Sequence, residues 1–298
     1  MSENVSTDRP SGGGTNATSD AIESAAFLAR SEHRVRVLEL LADDRRTREE
    51  LMAGTDVTRV TLSRILGDLG ERGWVDRDHA DGGYAITNTG RDVYEQFDRL
   101  LETITVGQQY PDVVDSLPTE WFDFELRCLA EAELVAADSA DPLAGMRVVA
   151  DAVGRATTVR AVVDSFTSLP MYTYGETLAA GDRPDVEVVF DRNASAVALE
   201  NPELVDRWRE IERRTDQSVY YSIDETVPGN VDLVDETVFL SAVTPDNGGF
   251  DVLRCTHPAV VDWARDLFRE KRAAAAPLEQ RLRDADPVDS PARTVGVE

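Results

Sequence analysis

The sequence predicts a mixed α/β protein of two domains, an N-terminal winged helix-turn-helix followed by an α/β domain with a mixed sheet. Three observations carry that prediction. Residues 47–86 read in the order helix, turn, helix, hairpin. The helical pattern then breaks over 107–119, at Pro111 and Pro118. From residue 120 onward helices alternate with strands and lead to an antiparallel hairpin, the layout of a mixed sheet covered by helices. At 298 residues the chain is long enough for two domains with separate cores. The expected division is a disordered tail over 1–20, the winged helix over 21–106, a linker over 107–119, the α/β domain over 120–275 and a C-terminal tail over 276–298.

In the first domain, a short helix is expected over Ala21–Ala29, and Ser31 can cap a second that runs to Asp43 with Val35, Leu38 and Leu41 inward. Arg34 and Arg36 on that helix are open between a DNA backbone and solvent. Thr47 and Glu50 have the capping-box spacing, so hydroxyl and carboxylate can satisfy orphan amides at the start of a third helix. Gly54 supplies the turn, and Thr58 can cap a fourth helix whose Leu62, Ile65, Leu66 and Leu69 point inward. Arg59, Thr61, Ser63 and Arg64 are left on or near the opposite face. Two guanidiniums and two hydroxyls near a helix N-terminus suit phosphates and the acceptor edge of guanine. Gly70 and Gly73 end that helix, and a hairpin pairs Trp74–Arg77 with Tyr84–Ile86 around Asp81-Gly82-Gly83. Arg77 and His79 fall on this wing. Thr87 can cap a longer helix with a stripe of Val93, Phe97, Leu100 and Ile104, widened by Tyr94 and Leu101. Such a stripe suits pairing with a twin helix in a homodimer, which would place two winged helices on paired half-sites; packing within its own domain is the alternative.

The run VTRVTLSRILGDLGERGWV, the Gly-Gly hairpin and YAITNTGRDVYEQF together resemble the DNA-binding domain of archaeal winged-helix transcriptional regulators of the ArsR-like and TrmB-like kind. The resemblance spans about residues 21–106 and implies double-stranded DNA as the partner. The helix over Thr58–Arg72 would then enter the major groove, with Arg59 and Arg64 reading bases, Thr61 and Ser63 on phosphate, and Arg77 with His79 at the wing. The alternative is a protein-binding adaptor whose winged helix touches no DNA. Burial of Arg59, Arg64 and Arg77 in local ion pairs would be its mark.

Charge tests this reading. A net charge of −26 opposes binding to a polyanion. Between Leu28 and Arg77, however, ten arginines balance ten acids, so the acidic excess lies outside the proposed DNA-binding core. Lys271 is the only lysine. Acid-rich, lysine-poor composition resembles that of proteins from salt-accumulating halophilic archaea, where carboxylates keep the surface hydrated and salt screens self-repulsion. Cys128 and Cys255 lack CxxC partners, and His33, His79 and His257 are scattered, so no metal or redox motif can be written. Two buried free thiols are expected, with a disulfide between them as the alternative. The first twenty residues are polar and no apolar run reaches the length of a membrane span, so a soluble cytoplasmic protein without membrane contact is expected.

Beyond the linker, helices are expected over Glu120–Ala132, from Pro142 to Gly154, over Met171–Ala180, over Pro202–Thr215 and from Pro258 to about Ala275. Strands are expected at Leu134–Ala137, Val159–Val163, Val186–Asp191, Ser218–Ile223, Thr237–Val243 and Phe250–Cys255, the last two as a hairpin around Asn247-Gly248-Gly249. The layout of a Pro-Leu helix, a strand, DVEVVFD, a hairpin and a helix with VVDWARDLFRE resembles the C-terminal domain of archaeal regulators related to the methanogenesis regulator FilR family. It implies a sensing or assembly role and transfers no binding residues.

An enzyme is not expected, and neither catalytic residues nor a cofactor are assigned: GxSxG, HExxH and P-loop motifs are absent. Related sugar-sensing regulators carry a domain similar to phospholipase D, but its His-x-Lys signature cannot occur here, because Lys271 comes fourteen residues after His257. A small-molecule effector is the better expectation. The ends of the strands at Asp164–Phe166 and Asp191–Asn193 would share one sheet edge if parallel, a common ligand crevice. Tyr172 and Tyr174 would line it and Arg192 would receive an anion; the alternative leaves the tyrosines in the core and Arg192 paired with a local acid.

Overall fold

The computed structural model describes residues 13–77, 82–111, 114, 117–137, 140–243 and 249–285, and separates into two compact units on either side of Glu102–Thr103. Unit 1 opens with α1 (Gly13–Ala29) and α2 (Glu32–Asp43), then α3 (Arg48–Thr55) and α4 (Arg59–Glu71). Helix α1 therefore begins inside the stretch read as a tail, and it is anchored by Phe27 and Leu28, which are buried. Ser31 stands at the start of α2 but its side chain makes no cap bond. At α3 the capping box closes in both directions: Glu50 N–H donates to Thr47 Oγ1, and Thr47 N–H donates to a Glu50 carboxylate oxygen at 2.7 Å. Thr58 caps α4 by accepting from Thr61 N–H. Gly73, at φ +69°, reverses the chain after α4.

The wing is formed by β1 (Val75–Arg77) antiparallel to β2 (Tyr84–Ile86), with Val75 opposite Ile86 and Arg77 opposite Tyr84. Asp81 and His79 lie outside the described residues; Gly82 has the positive φ that the hairpin is expected to need. Thr87 accepts from Gly90 N–H and starts α5 (Asn88–Gln109). Gly90 is required there: a Cβ would sit 2.0 Å from the Trp74 carbonyl oxygen. Val37, Leu38, Leu51, Leu62, Ile65, Leu69 and Trp74 form the core of this unit, with Val93, Tyr94 and Phe97 of α5 packed on it. Leu100 and Ile104, expected on the same stripe, are 52% and 45% exposed. Burial of the stripe stops at Phe97, and Val106 further along α5 is buried in the core of unit 2.

Unit 2 is an eight-stranded mixed sheet in the order β10-β6-β5-β4-β7-β8-β9-β3. Its strands are β3 (Glu133–Val135), β4 (Thr158–Val163), β5 (Asp185–Phe190), β6 (Tyr220–Ser222), β7 (Asn230–Val234), β8 (Thr237–Val243), β9 (Phe250–Cys255) and β10 (Ala276–Pro277). β4, β5 and β6 run parallel to one another, and every other pairing is antiparallel. One face is covered by α6 (Ala144–Val153), α7 (Leu169–Ala180), α8 (Arg192–Glu200), α9 (Pro202–Thr215) and α11 (Leu278–Ala285), packed around Val149, Phe190, Trp208 and Ile211. The other is covered by α10 (Pro258–Ala274), whose Val260, Trp263, Ala264 and Leu267 meet Leu233, Leu240 and Leu253. Period-two alternation divides each strand between the faces: Val231 and Leu233 point to α10, while Asn230, Asp232 and Val234 point to the other side.

Several segments of unit 2 differ from expectation, among them helix α8, which was not foreseen. Residues 120–132 form two 3₁₀ turns, Thr119–Trp121 and Leu126–Leu129, in place of an α-helix. Trp121, Phe122 and Phe124 all converge on Trp263, with ring centroids 5.4, 5.4 and 5.3 Å away, and an α-helix would scatter three such closely spaced residues around its axis. The strand at β7 was not foreseen. The stretch read as a C-terminal tail over 276–298 contributes β10 and α11, because Leu278 is fully buried against the helical face. In the linker, Tyr110 and Leu117 are buried in the core of unit 2, and the Tyr110 hydroxyl donates to the Ala132 carbonyl. Both cysteines are buried and free.

Candidate nucleic-acid interface and ligand cavity

Helix α4 buries Leu62, Ile65, Leu66 and Leu69, and this fixes which residues face outward. Arg59, Val60, Ser63, Arg64 and Gly67, spaced by one, three and four, make one exposed strip. No acid occurs in the first turn of α4, so the positive end of the helix dipole is not neutralised from within the helix. Arg59 and Arg64 are exposed, as is Arg77 at the end of β1. Among the described residues none of the three forms an ion pair or side-chain hydrogen bond. Ser63 is exposed, while the Thr61 hydroxyl lies 3.0 Å from the Thr58 hydroxyl and is drawn into the helix cap. His79 lies outside the described residues. Val60, 81% exposed, is a member of this strip that the sequence reading passed over. An apolar group beside two arginines suits the methyl of thymine.

Several other arginines of the unit are engaged. Arg34 and Arg72 stack on the Phe27 ring, with guanidinium carbons 3.8 and 3.7 Å from its centroid. Arg48 donates to the Tyr84 hydroxyl at 2.7 Å, and Arg36 pairs with Glu39 at 2.6 Å. Arg34 thus packs on Phe27 and Arg36 pairs with a local acid. A cleft of about 380 Å³ beside α4 is bordered by Thr61 and Arg64 together with Arg30 and His33. Arg30 extends the cationic surface, Glu23 borders the same cleft, and only the packing of α1 and α2 against α4 brings these residues there.

On the helical face of unit 2, a cavity of about 50 Å³ opens between the sheet and helices α6 and α7. Met146 and Val153 come from α6, Met171 and Tyr174 from α7, and Val159, Ala161, Val188, Phe190, Tyr220 and Asp232 from the strands; Phe166 closes one side. Of the residues proposed for a ligand, Tyr174 lines this cavity. Its hydroxyl donates to the Pro184 carbonyl, and burial pushes it up to about 12. Tyr172 lies under Arg207 at 4.6 Å, and Arg192 is an exposed residue in the first turn of α8; neither borders the cavity. Asp191 is also accounted for: it caps α8 by accepting from Ala194 N–H and also accepts from Val227 N–H. β4 and β5 do run parallel, as the crevice argument required. The recess nevertheless lies over the sheet face, where Asp232 is present and Arg192 is not.

Asp232 is the acid that sequence reasoning missed. It is 8% exposed, and burial with no charged neighbour pushes its carboxyl up to about 7. Its strand, NVDLV, comes directly after Pro228-Gly229 and carries an acid at its centre, so it reads as part of a loop. The alternation of Val231 and Leu233 was the signal available. No group of three or more candidate metal ligands occurs among the described residues, and none of their helices is long and apolar enough to cross a membrane.

Comparison with known proteins gives two family matches. Residues 22–109 match the HVO_A0261 N-terminal domain, and residues 142–274 match the middle domain of the methanogenesis regulatory protein FilR1. A search of curated proteins finds no match. Among solved structures, the chain is similar to the archaeal chromatin protein TrmBL2, with 13% identity over 85% of this chain and 98% of that one and a TM-score of 0.37. It is similar at 14% identity to an IclR-family transcriptional regulator from Brucella abortus, over 89% and 93% of the two chains with a TM-score of 0.24. The dimethyltransferase RosA from Streptomyces davawensis scores alike, 0.25 at 15% identity over 70% and 66%. None of these likenesses assigns an activity.

Proposed function

We propose that this chain, an HVO_A0261-type winged helix joined to a FilR1-type middle domain, is a sequence-specific DNA-binding transcriptional regulator of a halophilic archaeon that works in the cytoplasm as a homodimer. The observation that carries the reading is the strip on α4: Arg59 and Arg64 stand exposed and, among the described residues, unpaired in a chain with 57 acids, beside Val60 and a helix N-terminus without an acid in its first turn. Guanidiniums in so acidic a protein ordinarily find a carboxylate. Left bare together, they suit guanine edges and phosphates. Arg77 extends the same cationic character to the wing. Exposed Leu100 and Ile104, one turn apart on α5, support pairing with a second copy. The cavity of unit 2 supports an effector role, in which a ligand that prefers one arrangement of the dimer shifts its affinity for DNA.

Chromatin immunoprecipitation from the native host tests the reading. Discrete peaks sharing a sequence motif are expected. Uniform background from an expressed, folded protein would overturn it and leave the protein-binding adaptor. In a salt-accumulating host, affinity for the motif should fall far less steeply across molar KCl than simple counterion release dictates. A steep fall would separate the DNA reading from the halophilic one.

A further inference from the structure

Asp232 stands in β7 between its register partners Ala161 of β4 and Phe239 of β8. Among the described residues its carboxyl makes neither a hydrogen bond nor an ion pair. A buried carboxyl left in this state is costly, so buried acids normally recruit amides or cations. Asp191, in the same unit, does so through Ala194 and Val227. Arginine is plentiful around it: Arg160 and Arg272 pair with Glu187 on the opposite face of the sheet. None borders the cavity.

The walls around Asp232 are aromatic and aliphatic. Phe190 and Tyr220 stack with centroids 5.8 Å apart and an interplanar angle of 19°, and Phe166 meets Phe190 edge-on at 5.4 Å. Of the other polar side chains on the walls, those of Thr167, Tyr174 and Asn230 are committed, and the Tyr220 hydroxyl has no hydrogen bond among the described residues. Thr167 donates to the Met146 sulfur, and Asn230 accepts from the Asp164 and Ser165 amides while donating to the Ser165 carbonyl. Ala161 beside Asp232 is too small to fill the space. The volume of about 50 Å³ is several times the roughly 10–15 Å³ that one water needs by this measure.

A lone carboxylate, ring faces and no cation together complement an ammonium group: the carboxylate neutralises it, the rings attract it through their quadrupoles, and the aliphatic walls take its hydrocarbon. An anionic ligand would meet only repulsion. The geometry points to a binding site for a small primary amine with a compact apolar body, its ammonium on Asp232 and its hydrocarbon between the sheet and α6–α7. That this amine is the effector rests on the regulator reading; that it binds does not.

The test is calorimetric titration of the full-length protein, without DNA, using ethylamine, which suits a cavity of about 50 Å³, and its charge-reversed counterpart propanoate. The amine should bind and the carboxylate should not, and Asp232→Asn should weaken the amine by at least about tenfold. Ala161→Leu, which fills the space and keeps the acid, should abolish binding without lowering the melting temperature, and it serves if Asp232→Asn does not fold. No heat with the amine, equal binding of both probes, or wild-type affinity in either variant would overturn the site. Amine binding that leaves DNA affinity unchanged would overturn the effector role alone. Failure of the regulator reading would be seen separately, as absent chromatin peaks with amine binding intact.

Discussion

The two units hold their unpartnered charges in opposite ways. In unit 1, Arg59, Arg64 and Arg77 are exposed cations without a carboxylate among the described residues, while Arg34, Arg36, Arg48 and Arg72 nearby are stacked or paired. In unit 2 the arginines on the surface are mostly neutralised: Arg209 by Glu279, Arg265 by Asp262 and Glu236, Arg272 by Glu187. Among its buried acids, Asp191 and Asp251 accept from backbone amides, and the carboxyl of Asp232 is left without a partner among the described residues. Water solvates an exposed guanidinium at little cost, so unit 1 can keep several ready for a polyanion. A buried carboxyl has no such shelter and holds a proton to higher pH instead. One arrangement suits a large charged partner reached through solvent, the other a small one that enters the fold.

The largest expected effect tests the exposed half of this comparison. Replacing Arg59 and Arg64 together by alanine should cost about 2–6 kcal/mol of binding to the motif if each makes a bidentate base contact worth about 1–3 kcal/mol. Fluorescence anisotropy with the immunoprecipitated sequence measures this, and Arg265→Ala is the paired control that should leave affinity unchanged. Loss of affinity in the control as well would mean that net charge, and not the α4 strip, sets binding.

The buried half gives a pH dependence of definite sign. The native Asp232 carboxyl keeps its proton to about 7, whereas the unfolded group releases it near 3.8, so the native state binds more protons between those values. Its contribution to stability is therefore greatest at low pH, declines from about pH 4 to 7 and stays low above. Asp232→Asn should raise stability at pH 8 by about 1–3 kcal/mol relative to wild type, and the difference should shrink towards zero as pH falls through that window. Urea melts of both proteins at pH 5 and pH 8 would show it. A pH-independent difference would indicate packing and not titration.

The smallest effect concerns a charge that already has its partner. Arg209 and Glu279 form two parallel hydrogen bonds of 3.0 and 2.8 Å at a partly exposed site. Arg209→Ala should cost only about 0.2–1 kcal/mol in a thermal melt, less at high salt. A larger loss would show that this pair holds α11 to α9 and is not an ordinary surface bridge.

The sequence by itself determined the elements whose signals are local. Capping at Thr47, Thr58 and Thr87, the leucine spacing of α4, the glycine of the wing and the alternation of β4, β5, β8 and β9 each depend on neighbours a few residues away, and short-range sterics and hydrogen bonding decide them. The exposed positions of Arg59, Ser63 and Arg64 came from the same periodicity. Tertiary structure alone decided which charges would be left without partners. Arg34, Arg64 and Arg72 look alike in sequence, and only the position of Phe27 in α1 takes the first and third out of solvent. Tyr172, Tyr174 and Arg192 were grouped by their nearness to strand ends, yet a residue at a strand end can face either side of a sheet or cap the next helix. Asp232 was hidden for the same reason: an acid in a short segment reads as loop until β4 and β8 pair on either side of it, and its burial is a property of those neighbours and of the helices laid over them.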